Sequence, residues 1–180
     1  MIPSIDLILG TLERALTVAI LPAAGNASAK EEASLGILFT RWLRDVVDHA
    51  VDAERASYHD CRGALADVVA SLEAVRVGPA ASLVAREARA FLAQPAADTA
   101  SRIRQDTRLA KALLVRSLRA ARQDASDSAA SIRRRLADLA GRELEREIAF
   151  GRATGIDPDG AKGLPLAEVL SAQQARRSQP

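Results

Sequence analysis

Residues 28–75 read SAKEEASLGILFTRWLRDVVDHAVDAERASYHDCRGALADVVASLEAV, and the fold class follows from them. Phe39, Leu43, Val46, Ala50, Ala53, Ser57, Cys61, Ala64, Val68, Leu72 and Val75 succeed one another at intervals of three or four, the spacing that keeps side chains on one face of a helix. Ser28, with Glu31 three residues on, forms a capping box that satisfies two otherwise free backbone N–H groups. Glu31 and Glu32 also meet the positive end of the helix dipole. No proline falls between Pro22 and Pro79, and Gly78 with Pro79 supplies the stop. The stretch therefore predicts one helix of about 28–75, with Gly63 its expected kink.

Outward from this helix the chain repeats the same grammar. A first helix is expected at 4–21, capped by Ser4, with Ile5, Ile8, Leu9, Leu12, Leu16, Ala19 and Ile20 inward and Pro22 ending it. The short connection through Gly25 and Asn26 folds it back antiparallel on the long helix. A helix at 79–92 starts on Pro79 and is closed by Gln94 and Pro95. A second long helix, about 99–150, carries Ile103, Ala110, Leu114, Leu118, Ile132, Leu136 and Leu144. The polar run DASDS (124–128) leaves it either continuous or split into two nearly collinear pieces. Asp157, Asp159 and Gly160 read as a turn, because the carboxylate that would complete a calcium loop is absent. A last helix occupies 165–175, and 176–180 is a flexible tail. The expectation is an all-α antiparallel helical bundle, one domain over 1–175.

Composition limits what such a bundle does. Five aromatic residues among 180 leave no stacking platform for single-stranded nucleic acid, and a net charge of +2 does not by itself call for a polyanion. The single cysteine, Cys61, excludes an internal disulfide, falls on the apolar stripe and suits a reducing compartment. No basic segment precedes the first apolar residues, and no apolar run approaches the ~18 residues that span a bilayer. A cytoplasmic protein without leader, membrane partner, cofactor or bound metal is expected, and no convergent catalytic set marks an enzyme.

Three places carry functional readings. On the long helix Leu38, Trp42, Asp45, His49, Asp52, Ala56 and His59 form a second line that begins apolar and turns polar, with Asp45 and Asp52 flanking His49 at i−4 and i+3. Trp42, Asp45, His49, Asp52 and His59 form either a ligand or partner face or a plain solvated flank. Asp and His at this spacing can share a metal ion, but no other helix offers a histidine. The second place is an arginine stripe of Arg104, Arg108, Lys111, Arg119 and Arg122. Residues 98–122 hold seven basic and two acidic side chains, while 28–75 hold five basic and nine acidic. Rim ion pairs between two packed helices answer that complementarity as well as polyanion binding does.

The third is a resemblance. The opening IPSIDLILGTLERALTVAILPAAGNASAKEEASLGILFTRWL (2–43), a Leu-rich helix ending in Ile20-Leu21-Pro22 before an Ala-rich second helix, resembles the N-terminal part of certain small bacterial helical proteins. Those proteins are associated with aminoglycoside-phosphotransferase-like kinases and acyl-CoA dehydrogenase-like enzymes. The resemblance implies a non-catalytic accessory subunit supporting a partner kinase or dehydrogenase, with no catalytic residues to carry over. A protein partner or self-association is expected.

Overall fold

The computed structural model describes residues 4–74, 79–122, 126–152 and 163–177. α1 (Ile5–Ala15) passes through a π-helical turn (Leu16–Ile20) into the short α2 (Leu21–Ala23). There follow α3 (Ala27–Ala74), α4 (Pro79–Leu92), α5 (Ala100–Ala121), α6 (Asp127–Gly151) and α7 (Leu166–Arg177). No strand occurs among the described residues, and the fold is an all-α helical bundle.

The helix ends differ from the expected ones for local reasons. Ser4 does cap α1, its Oγ accepting from the Leu7 N–H at 3.3 Å. Pro22, however, does not end the first helix. In the π-turn the Leu21 N–H donates to Leu16 O, five residues back. The hydrogen-bond ladder is thus already displaced where the proline offers no donor, and helix continues to Ala23. The long helix begins one residue before Ser28, because Asn26 supplies the cap: its Oδ1 accepts from the Ala29 N–H at 2.8 Å. Asparagine and serine are equivalent caps, and the one that lies nearer the turn is used. α3 stays α-helical through Gly63. Val75, Gly78, Asp124, Ala125 and the turn from Asp157 to Gly160 lie outside the described residues.

The expected helix over 99–150 is two helices that double back. Thr99 caps α5, and Ser126 opens α6 by accepting from the Ala129 N–H at 3.2 Å. Lys111 Nζ reaches Glu143 Oε2 at 2.8 Å. On one continuous or collinear helix those residues would stand about 48 Å apart. α5 and α6 are therefore antiparallel, not collinear.

The chain divides into two compact units, residues 52–144 and residues 1–51 with 145–180. The 52–144 unit holds the main core. Cys61, Leu65 and Val68 of α3, Ala88 of α4, Ala110 of α5, and Ala129 and Ile132 of α6 are wholly enclosed there. Alanine at the contacts lets the four helices approach closely. Polar ties register them: Ser57 Oγ donates to Glu143 Oε1 at 2.6 Å, Arg142 meets Asp60 at 3.5 Å, and Arg135 meets Asp67 at 3.6 Å. Arg104 meets Glu54 at 2.8 Å. The acidic side of α3 is thus answered by α6 as well as by α5.

The unit of residues 1–51 and 145–180 is built differently. Ala33, Ile37 and Val46 of α3, Ala149 of α6, and Leu166 and Val169 of α7 are buried, but α1 contributes no buried residue. Buried Arg146 donates to Gln173 Oε1, and Gln173 Nε2 donates to Glu145 Oε2 at 2.9 Å, so α7 is held on α6 by polar contacts. Arg41 Nε meets Glu13 at 2.7 Å, and Arg44 meets Asp6 and Glu13 at 3.0 Å each. These pairs tie α1 antiparallel to α3. At the far end of the same hairpin a Cβ on Gly36 would stand 3.3 Å from a Leu16 methyl, so the glycine permits the close approach.

Candidate functional site

Trp42 is committed to structure. Its Nε1–H donates to Phe150 O at 2.7 Å, and its ring lies edge-on to Phe150 at 5.3 Å and to Phe39 at 6.4 Å. An indole donor, partly desolvated, finds a carbonyl in the last turn of α6, where helix geometry leaves C=O groups open to an outside donor. One turn on, Asp45 is exposed and His49 half-buried, with no hydrogen bond or ion pair among the described residues joining His49 to either aspartate. Asp52 instead faces Arg55 at 3.6 Å. His59, exposed, rests its ring 5.3 Å from that of Tyr58. The line shares one helix, yet its side chains take separate neighbours. No group of three or more His, Cys, Asp or Glu side chains converges on a metal-sized site among the described residues.

Two cations of the arginine stripe are taken up in ion pairs. Arg104 is engaged by Glu54 and Lys111 by Glu143, while Arg108, Arg119 and Arg122 stand exposed on the same helix. Hydrogen bonding to Glu54 raises the Arg104 pKa above its ordinary value, so that cation is held rather than offered. Arg116, outside the stripe, is likewise taken up by Glu87 of α4. From Arg108 to Arg119 the rise along the axis is about 16 Å, too far for one phosphate to bridge.

A surface absent from the three sequence readings emerges on the α1–α3 hairpin. The stripe of the first helix, expected to face inward, is open: Ile5, Ile8 and Leu12 are 46–52% exposed. On α3 the apolar stripe is first buried at Val46, is half-buried at Ala50, Ala53 and Ser57, and is enclosed from Cys61 to Leu72. Phe39 is 51% and Leu43 40% exposed, because the side that α3 buries in its first half runs through Ala33, Ile37 and Thr40 instead. Leu35, Phe39 and Leu43 fall at four-residue intervals and share a helical face. Ile5, Ile8 and Leu12, spaced by three and four, likewise share a face of α1. A sequence signal existed, since the stripes of both helices were plain, but periodicity says which side is apolar without saying what covers it.

Two further features are confined to packing. Cys61 is fully enclosed, and burial pushes its thiol up to about 11. It is a small core side chain with no thiolate character. An open cleft of about 220 Å³ between α6 and α7 is lined by Ile148, Leu164, Val169 and Ala172, with Glu145 and Arg176 paired at its rim. No helix among the described residues is long and apolar enough to cross a membrane. No protein family, curated protein or solved structure matches this chain.

Proposed function

We propose that the protein is a non-catalytic helical interaction protein, an accessory subunit that works by docking through the apolar face of its α1–α3 hairpin. One observation carries the reading: α1 buries none of its residues and leaves Ile5, Ile8 and Leu12 of its hydrophobic stripe exposed. An isolated helix of its length is marginal in water, and most helical stability comes from covering an amphipathic face. Contiguous exposed apolar surface beyond a few hundred Å² marks an interaction site on an ordinary protein. Support of a bacterial kinase or dehydrogenase is the form of this role that the resemblance of residues 2–43 suggests. The single enclosed thiol accords with a reducing cytoplasm.

The test compares wild-type chain with the Phe39→Asp, Leu43→Asp double variant as affinity baits in native extract, with far-UV circular dichroism establishing that both are equally helical. Proteins retained by the wild type and lost from the variant support the docking role. An identical set on both baits would sink it.

A further inference from the structure

We infer that the occupant of this face is a second copy of the chain, so that two α1–α3 hairpins close into a four-helix arrangement about a two-fold axis. The inference rests on the docking role above and names its partner. The contacts already described make the hairpin antiparallel, with Leu16 against Gly36 at one end and Asp6 against Arg44 at the other. An antiparallel pair with one uncovered apolar side is half of a four-helix bundle, and a two-fold axis supplies the other half from the same sequence.

Charge favours a like partner. The side chains of Ile5, Ile8, Leu12, Leu35, Phe39 and Leu43 are all uncharged, and the one ionisable residue on the α3 line, exposed Glu32, stands a turn before Leu35 at its edge. The charges that tie the hairpin, Asp6, Glu13, Arg41 and Arg44, answer one another within it. A partner rich in either sign would gain nothing from this surface. An uncharged face, by contrast, meets its own image without the like-charge repulsion that forbids most surfaces from self-pairing. Extent agrees as well. Those six side chains, 40–52% exposed, present an apolar area on the order of the several hundred Å² that each partner gives a standard interface.

Sedimentation of the purified full chain across the micromolar range tests this. A dimer is expected, with a dissociation constant raised on the order of a hundredfold by Phe39→Asp with Leu43→Asp, the loss of central anchors. Val115→Asp, on exposed α5 surface, should leave it unchanged. Should the double variant misfold, Ile8→Cys supplies an independent readout. Its new thiol should be coupled between chains by a short bis-maleimide while the enclosed Cys61 stays unmodified, and Leu109→Cys should give no coupled species. A wild-type chain monomeric throughout, or a dimer indifferent to the face substitutions, overturns the second copy. If that monomer still retains a foreign protein through Phe39 and Leu43, the docking role stands without it; if it retains none, both fall.

Discussion

Tyr58 shows how one side chain holds several backbones. Almost wholly buried, it accepts the Ala97 N–H at 3.0 Å through its hydroxyl. Beside it Arg62 donates to Leu92 O and to Gln94 O, closing the end of α4 onto α3. Tyr58→Phe leaves the Ala97 N–H without its acceptor and is expected to cost about 1–3 kcal/mol, read as a lowered urea midpoint with an unchanged slope. Cys61 makes the opposite prediction, of inertness. With its thiol held near 11 by burial, it should resist a disulfide reagent at mildly alkaline pH and react at once in denaturant. Its role was legible in the sequence because it stood on the apolar stripe, with Ala64 one turn on and Val68 two. The helix cap was not: Asn26 and Ser28 are both capable, and only the path of the chain from Gly25 chooses between them.

Among the elements, α3 and α1 differ in what keeps them helical. Gly63 sits in an unbroken stretch of α3 with open space where a Cβ would go, so Gly63→Ala should stabilise by up to ~1 kcal/mol, measured by thermal or urea unfolding. α1 depends instead on its ion pairs. The hydrogen bond from Arg41, with Arg44 beside it, holds the Glu13 carboxyl below its ordinary pKa. The folded carboxyl therefore ionises at lower pH than the unfolded one. Its contribution is complete above the usual carboxylate range and is lost as pH falls through the depressed folded value. Acid titration followed by far-UV circular dichroism should show α1 loosening in that window, and Glu13→Gln should remove this pH dependence at the cost of a weaker hairpin throughout. Helix positions were readable because periodicity survives any tertiary arrangement. The reversal between α5 and α6 was not, since polar short-chained residues serve a bend and a turn alike, and the contact that decides it joins Lys111 to a residue far along the chain.

Across the whole molecule, the two units spend similar residues differently. Residues 52–144 enclose leucines and valines from four helices, whereas the first 51 residues leave much of their aliphatic surface open. Amide hydrogen exchange by the isolated chain should accordingly be slowest around Cys61–Leu72 and fastest in α1, and equal protection of both would contradict the inequality of the cores. Nothing in composition announces this division, because alanine, leucine and arginine are spread along the entire sequence. The same division has an optical consequence. The only indole, Trp42, lies in one unit with its ring against Phe150, and the only phenol, Tyr58, lies buried in the other. Each half of the protein thus carries its own chromophore, so selective excitation of tryptophan set against tyrosine absorbance will time the opening of the two units separately, with no label attached.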